Sequence, residues 1–181
     1  MKKEVTDYRY THSLGVAETA KHLAQKYGAD SVKAELAGIL HDFAKFWAKE
    51  KLELTIKANS ILEQDLLDYN AELWHGPVAS ILIQERFDIH DEEIVLAVRY
   101  HTSGRENMSL LEKVVCLADY IEPSRQFPGV EEIREIAEQD IDEALRLALD
   151  GTIQFLIKKK MKIYPLTMIA RNNLLKNREK Q

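Results

Sequence analysis

The sequence is poor in the residues that cross-link or interrupt a chain. Among 181 residues there is one cysteine, Cys116, so an intramolecular disulfide is excluded. Seven glycines and four prolines are few, and apolar residues recur mostly at spacings of three and four, the period of helices. With 45% hydrophobic and 30% charged residues, the chain is long enough for one domain, residues 1–181, with a full core. We therefore predict a single all-α domain.

Long apolar runs and an excess of basic residues are also missing. No stretch approaches the roughly 18 apolar residues that cross a bilayer, and the start Met-Lys-Lys-Glu-Val lacks the apolar run of a secretion signal. We therefore expect a cytoplasmic protein that does not use a membrane. The formal net charge of −5 argues against a general nucleic-acid binder, although it leaves room for a local basic pocket that attracts phosphate.

What the sequence does contain is one amphipathic segment after another. Residue types that favour helix starts precede several segments: Asp30 or Ser31, Ser60 with Glu63, Asp91, Ser109 with Glu112, and Thr167. The predicted helices cover about residues Asp7–Tyr27, Val32–Asp42, Ala48–Ala58, Ser60–Asp68, Pro77–Phe87, Asp91–His101, Leu110–Ile121, Val130–Glu138, Asp140–Lys159 and Met168–Arg178. Ala48–Ala58 is either a short surface helix or a lid.

An imidazole and a carboxylate stand side by side at the end of the second predicted helix. Both His41 and Asp42 can bind a divalent metal, but adjacent helical residues diverge by about 100° and converge on one ion only at a helix end. The same helix has a face of small residues that includes Ala37 and Gly38. Small residues let a neighbouring helix come close, which would bring His12 toward His41.

Other histidines and a carboxylate have comparable positions. His12 lies on the inward face of the first helix, although a core histidine bonded to a carbonyl explains this as well. His75 precedes a helix start at Pro77, where exposed amides favour an anion, and a tight structural turn is the alternative. His101 points inward at the end of its helix. Asp119 flanks a buried stripe, where a carboxylate is costly without a cation or another partner.

Together these residues indicate a metal site formed by His12, His41, Asp42, His75, His101 and Asp119. Nitrogen and oxygen ligands without a thiolate cluster exclude a structural zinc finger and suit iron, manganese, cobalt or catalytic zinc. Metals in such sites polarise phosphoryl oxygens and lower the pKa of bound water, so hydrolysis of a phosphoester or phosphoanhydride is the favoured chemistry. Lys45 lies one helical turn beyond His41, either as a solvated lysine or as part of the site.

The order His12, then His41-Asp42, then Asp119 resembles the HD-domain metal-dependent phosphohydrolases. The chain is most similar to the YqeK-like family of symmetrical diadenosine tetraphosphate hydrolases, and the likeness spans nearly the whole sequence. The segments that carry it are Arg9–Ser13, His41–Lys45, His75–Pro77, His101-Thr102, Leu117–Arg125, Tyr164–Thr167 and Ala170–Asn172. The run Asp-Tyr-Ile-Glu-Pro-Ser-Arg from Asp119 is distinctive. The one departure is the variable stretch Phe46–Asn59.

The resemblance implies an HD-domain helical bundle that holds iron, with manganese, cobalt or zinc as alternatives, beside a nucleotide pocket. The implied metal ligands are His12, His41, Asp42 and Asp119. The implied catalytic residues are Asp42, Lys45, His75 and His101, and a second metal at His75 and His101 is left open. The implied substrate contacts are Arg9, His12, Lys45, His75, His101, Thr102, Asp119, Arg125, Tyr164, Pro165, Leu166 and Thr167. Three of these, Arg9, Lys45 and Arg125, would hold the polyphosphate, and the segment Tyr164–Thr167 would close over the nucleoside.

Three functions are compatible with these observations. The first is hydrolysis of a dinucleoside tetraphosphate to two nucleoside diphosphates, with ADP or a GDP-like nucleotide as the product. The second is a different HD-type nucleotide phosphohydrolase, which acts on a mononucleotide or a cyclic nucleotide. The third is a metal-containing nucleotide sensor with little turnover. The resemblance leaves a homodimer open, whereas neither a nucleic acid nor a membrane is expected as a partner.

Overall fold

The computed structural model describes the backbone of residues 7–178 and the side chains of residues 10–176. Over that range it contains nine α-helices and no strand, which confirms the predicted all-α class. None of these helices carries an apolar stretch that could reach across a bilayer. The helices are α1 (Asp7–Tyr27), α2 (Ser31–Leu40), α3 (Lys49–Ala58), α4 (His75–Phe87), α5 (Glu92–Tyr100), α6 (Leu110–Ile121), α7 (Val130–Ala137), α8 (Ile141–Lys158) and α9 (Pro165–Arg178), with short 3-10 helices at Gln64–Asp68 and Ala71–Leu73.

Side-chain caps fix where several helices begin, as the sequence predicts. The Asp30 carboxylate accepts hydrogen bonds from two backbone amides in the first turn of α2. Asp91 caps α5 in the same way, and Ser109 forms a reciprocal capping box with Glu112 at the start of α6. Each cap satisfies amides that the helix leaves unpaired and contributes about 1 kcal/mol. The starts of three helices that build the site are therefore set locally.

Two of the predicted N-terminal caps are wrong. The chain after α3 forms a turn at Ser60 and then the first 3-10 helix, and the Glu63 carboxylate accepts a hydrogen bond from the Tyr100 hydroxyl at 2.7 Å instead of closing a capping box. The last helix begins at Pro165, so Thr167 lies in its first turn and does not cap it. Proline suits this first position, because the amide that it lacks would have no intrahelical partner there.

A close contact between α1 and α2 positions the candidate site. The small face of α2 permits it: a Cβ atom added at Gly38 would lie 2.7 Å from the Cα of Ala17 on α1. Ala34 and Ala37 on the same helix are completely buried. Helix α6 packs against both α1 and α2, and α5 packs against α2, α4 and α6. Polar side chains on these helices can therefore meet within one buried space.

Candidate metal centre

Six polar side chains from five helices converge in the core. They are His12 on α1, His41 and Asp42 in the turn after α2, His75 at the first position of α4, His101 directly after α5, and Asp119 near the end of α6. Helix α2 ends at Leu40, His41 is its C-cap with a helical backbone conformation, and Asp42 lies in the turn that follows, so the pair stands at a helix end. Helix α4 begins at His75, two residues earlier than the predicted start at Pro77.

The four residues predicted as metal ligands lie together. His12 Nε2 is 3.1 Å from Asp119 Oδ1 and 3.9 Å from Asp42 Oδ2. His41 Nε2 is 3.7 Å from the same Asp42 oxygen and 3.8 Å from Asp119 Oδ1. Ligand atoms about 2 Å from a common ion lie roughly 3 to 3.5 Å from one another in a tetrahedral arrangement. The four histidine-to-carboxylate distances are within about half an ångström of that spacing.

Two buried nitrogen atoms face this cluster and have no hydrogen-bond partner among the described residues, namely Nε2 of His12 and Nε2 of His41. His41 Nδ1 lies 2.6 Å from the carbonyl oxygen of Gly38, which only accepts hydrogen bonds, so Nδ1 carries the proton and Nε2 presents a lone pair. A buried lone pair without a partner is costly. Two of them beside two carboxylates fit a divalent metal ion.

A buried glutamate, to which sequence reasoning assigned no role, orients His12. Glu122 caps the end of α6, is 1% exposed, and places Oε1 3.0 Å from His12 Nδ1. It also accepts hydrogen bonds from the amide and the hydroxyl of Ser124. Because a carboxylate only accepts, His12 Nδ1 donates to Glu122, and this turns Nε2 toward Asp119 and the cluster. The sequence contains one sign of this contact, a glycine at position 15 on the same inward face of α1 as His12. The structure gives the reason, because a Cβ at Gly15 would lie 2.7 Å from Glu122 Oε2.

The charges of the site are those that attract a cation. Burial acts to raise the pKa of Asp42 and of Asp119, but the neighbouring histidines and, for Asp119, the guanidinium of Arg125 outweigh it and hold both pKa values below their usual range. Burial lowers the pKa of His41, and it lowers the pKa of His101 to about 3. Burial acts the same way on His12, but the carboxylates of Asp119 and Glu122 outweigh it and raise the pKa. Ionised carboxylates and the neutral imidazole of His41 are in the protonation states that bind metal, and a bound cation would displace a proton from Nε2 of His12.

A second set of polar contacts extends the cluster beyond Asp42. His75 Nε2 lies 2.9 Å from Asp42 Oδ1 and 3.0 Å from His101 Nε2. The Thr102 hydroxyl oxygen is 2.9 Å from the same nitrogen of His101, and Lys45 Nζ is 3.4 Å from His75 Nδ1. The four residues predicted to be catalytic are therefore contiguous. Ligand atoms of Asp42, His75 and His101 also lie within 4.8 Å of one another, so a second ion could use them.

Arg125 joins the metal cluster to the loop after α6. Its Nη2 lies 2.5 Å from Asp119 Oδ1, and its Nε donates to the backbone carbonyl of the same residue at 2.9 Å. The side chain is 34% exposed, so part of the guanidinium also faces solvent. This position suits an arginine that meets phosphate beside a metal. Arg9, the other arginine predicted to contact phosphate, belongs to α1, but its side chain lies outside the described residues.

The segment that was predicted to close over a nucleoside is half buried. Tyr164 is 4% exposed and Thr167 is 3% exposed. The ring of Tyr164 meets the ring of Tyr69 edge to face at a centroid distance of 5.0 Å. Pro165 is exposed and Leu166 is partly buried. These two residues are therefore the ones that a nucleoside could contact without rearrangement of the segment.

A family model agrees with this arrangement. The model of the HD domain matches residues 9–124, a range that includes all six residues of the cluster. This chain belongs to the HD domain family. The resemblance noted in the sequence is thereby confirmed, and HD domain hydrolases depend on metal ions. Which metal this cluster prefers is a separate matter, since histidine and carboxylate ligands suit several of the divalent ions.

HD domain relatives match the chain over nearly its full length. A protein of Bacillus subtilis (strain 168), named symmetrical bis(5'-nucleosyl)-tetraphosphatase, is 49% identical over 97% of this chain and 94% of its own. A Staphylococcus aureus (strain NCTC 8325 / PS 47) protein of the same name is 41% identical over 94% of this chain and 89% of its own. A crystal structure from Clostridium acetobutylicum, described as a predicted HD superfamily hydrolase involved in NAD metabolism, superposes with a TM-score of 0.92 at 41% identity, covering 97% of this chain and 93% of that chain.

Proposed function

We propose that this protein is a metal-dependent hydrolase that cleaves diadenosine tetraphosphate symmetrically into two molecules of ADP. The observation that carries the proposal is the pair of buried, unpartnered Nε2 atoms of His12 and His41 opposite the carboxylates of Asp42 and Asp119. Relatives at 41% to 49% identity bear the name of this activity over nearly the whole chain. One continuous core takes side chains from α1 through α9, which supports a single domain over residues 1–181.

The proposed metal ligands are His12, His41, Asp42 and Asp119, and the proposed metal is iron, with manganese, cobalt or zinc as alternatives. When bound, such an ion supplies a Lewis acid for a phosphoryl oxygen and a water of lowered pKa. Hydrogen bonds at Nδ1, to Glu122 for His12 and to a backbone carbonyl for His41, orient both rings so that their Nε2 atoms face the proposed ion.

Lys45 and two histidines act on the phosphate charge in this proposal. Lys45 Nζ is held by an ion pair with Glu72 at 2.8 Å and lies next to His75, which bonds to Asp42. A fixed cation here stabilises the negative charge that develops on the phosphoryl oxygens. His75 and His101, which lie within hydrogen-bond distance of each other, are proposed to contact the phosphate oxygens and stabilise the same charge. A second ion on Asp42, His75 and His101 is the alternative use of these atoms.

Further substrate contacts are proposed from the positions of the other predicted residues. Arg125 reaches the phosphates from the side of Asp119, and the hydroxyl of Thr102 lies beside His101. Arg9 is the third proposed phosphate cation. The segment Tyr164–Thr167 is proposed to contact one nucleoside through its two accessible residues.

Product analysis tests the proposed function. The protein, loaded in turn with iron, manganese and cobalt, is incubated with diadenosine tetraphosphate in oxygen-18 water. We expect ADP as essentially the only nucleotide product, with the label on its terminal phosphate. Equal amounts of ATP and AMP would reject symmetrical cleavage. Release of inorganic phosphate from a mononucleotide would support a different phosphohydrolase, and binding without turnover under every metal would support a sensor.

A further inference from the structure

A groove leads away from the metal cluster to the junction of α6, α7 and α8. Asp119 and Arg125 line the groove on the side of the cluster, and its volume is about 930 Å³. Small-molecule sites in proteins measure roughly 300–1,000 Å³ and have mostly apolar walls with a few polar groups. The walls of this groove are of that kind, and their apolar part consists of Tyr120, Phe127, Ile133, Leu147 and Phe155.

Aromatic rings are built into the groove. The rings of Tyr120 and Phe127 meet edge to face at a centroid distance of 5.0 Å, and Phe155 on α8 is 55% exposed. Gly151 lies in the interior of α8, where a glycine weakens a helix. A Cβ at that position would lie 2.6 Å from the Tyr120 hydroxyl oxygen. The glycine therefore lets the tyrosine ring lie against α8 beside the groove.

The groove is continuous with the catalytic centre through two residues of α6 and the loop that follows. Asp119 and Tyr120 are successive helical residues that diverge by about 100°, so the carboxylate faces the cluster while the ring faces the groove. Arg125 bonds to Asp119 and also lines the groove. On the opposite side of the cluster, His75 Nε2 lies 2.9 Å from Asp42 Oδ1, and Lys45 Nζ lies 3.4 Å from Nδ1 of the same histidine. The cluster is thus flanked by a phosphate-binding cation on each side.

We propose that the groove binds one of the two nucleosides of a dinucleoside polyphosphate. This inference rests on the proposed function and deepens it. Symmetrical cleavage requires one nucleoside and two phosphates on each side of the attacked bond. One half extends past Lys45, and the other passes Arg125 and ends in the groove, where its base stacks on Phe155 beside Tyr120. Stacking of this kind accepts any base, because every base has a π face.

The charged inner end of the groove is what selects this occupant. A surface that docks an apolar peptide or a second copy of the chain does not need to open onto a metal cluster. Here the guanidinium of Arg125 lies between the cluster and the aromatic walls. This arrangement suits a ligand that has phosphate at one end and a planar ring at the other. A nucleoside phosphate has that chemistry.

Three variants on α8 test the inference without disturbing the metal cluster. Phe155→Ala removes the exposed ring, Phe155→Trp keeps a ring, and Ile157→Ala removes a comparable apolar side chain that is 61% exposed outside the groove. With diadenosine tetraphosphate, we expect Phe155→Ala to raise KM roughly tenfold while kcat stays within about twofold, in keeping with the loss of one base–aromatic stack. The other two variants should match the parent.

A second measurement separates this inference from the proposed function. Binding of diadenosine tetraphosphate with a methylene group at the central bridge is measured by calorimetry for the parent and the three variants. The same roughly tenfold weakening in Phe155→Ala alone is expected even if the parent hydrolyses nothing. Equal affinity of Phe155→Ala and Ile157→Ala would overturn the groove assignment and leave the hydrolase proposal untouched. If sedimentation shows that Phe155→Ala alone changes the oligomeric state, the groove is a contact between copies and the inference fails.

Discussion

Glu122 Oε1 lies 3.0 Å from His12 Nδ1, and both side chains are 1% exposed although 110 residues separate them in the chain. Every group that bonds to this carboxylate is a donor: the imidazole N–H and the amide and hydroxyl of Ser124. The contact therefore fixes both the direction and the protonated nitrogen of His12. Partners of this kind are as much a part of a metal site as the ligands themselves.

Replacing this carboxylate by an amide is expected to weaken metal binding. Glu122→Gln keeps the shape but offers one accepting oxygen and an NH₂ group that faces donors, so His12 loses its fixed orientation. We expect metal affinity to fall by roughly 10- to 100-fold, measured by competition with a chelator of known affinity. The matched control is Glu138→Gln, which alters an exposed glutamate bonded to His22. Unchanged affinity in Glu122→Gln would contradict the orienting role.

Lys45 is the cleanest test of phosphate stabilisation, because Arg125 bonds directly to a proposed metal ligand and Lys45 does not. Lys45→Met keeps most of the side-chain volume and removes the charge. We expect metal content to stay at the parental level and kcat to fall by roughly 10²- to 10³-fold. Lys113→Met is the control, since Lys113 is similarly buried in an ion pair with Asp142 on another part of the surface. A parental kcat in Lys45→Met would place the polyphosphate elsewhere.

The contact between α1 and α2 should tolerate no added methyl group. In Gly38→Ala, the new Cβ would lie 2.7 Å from the Cα of Ala17, which is backbone and cannot move aside cheaply. We expect the free energy of unfolding to fall by about 1–3 kcal/mol, and metal affinity to fall with it because His12 and His41 lie on the two sides of this contact. Val32→Ala, at a position that is 72% exposed on the same helix, should change the stability by less than about 0.5 kcal/mol. Urea titrations of the three proteins decide between these outcomes.

Much of the site could be predicted because its signals are local. The inward face of α1 singles out His12 from His22, and the small face of α2 predicts a close neighbour for the helix that precedes His41-Asp42. The caps at Asp91 and Ser109 are likewise local pairings and are found as predicted. Where a short stretch of chain contains both the signal and its partner, a period of 3.6 and a capping residue suffice.

What could not be predicted depends on partners that are distant in the chain. Glu63 has the spacing of a capping box, but its carboxylate is taken by the hydroxyl of Tyr100, 37 residues away, and the segment forms a 3-10 helix. Glu122 directly follows α6, and its sequence neighbourhood is typical of a loop. Only the packing of α1 on α6 shows that its carboxylate bonds to His12. No local period carries such information.

The single cysteine gives a prediction about alkaline pH. Burial raises the pKa of Cys116 to about 12, whereas a thiol in an unfolded chain has a pKa of about 8.5. The unfolded state therefore releases the proton first, so this group's contribution to stability falls as the pH rises through the range between the two values. At pH 10 the loss is about 2 kcal/mol relative to pH 7. We expect the difference in unfolding free energy between the parent and Cys116→Ala to shrink by that amount, because all other titrations are common to both. A constant difference would show that the thiol ionises in the folded protein.

Metal removal is expected to lower the melting temperature through Asp119. An ion that binds only the folded state stabilises it by about 2.7 kcal/mol at a free concentration 100 times its Kd, and each kcal/mol shifts the melting temperature of a chain of this size by about 2–4 °C. The parent should therefore melt roughly 5–10 °C lower after chelation.

Asp119→Ala should purify with much less metal and should show little further shift on chelation, since a proposed ligand is already lost. Asp142→Ala removes a carboxylate that is paired with Lys113 outside the cluster, so it should keep the parental metal content and the parental shift. Elemental analysis and calorimetry of the three proteins measure both quantities, and equal metal in the parent and Asp119→Ala would exclude Asp119 as a ligand.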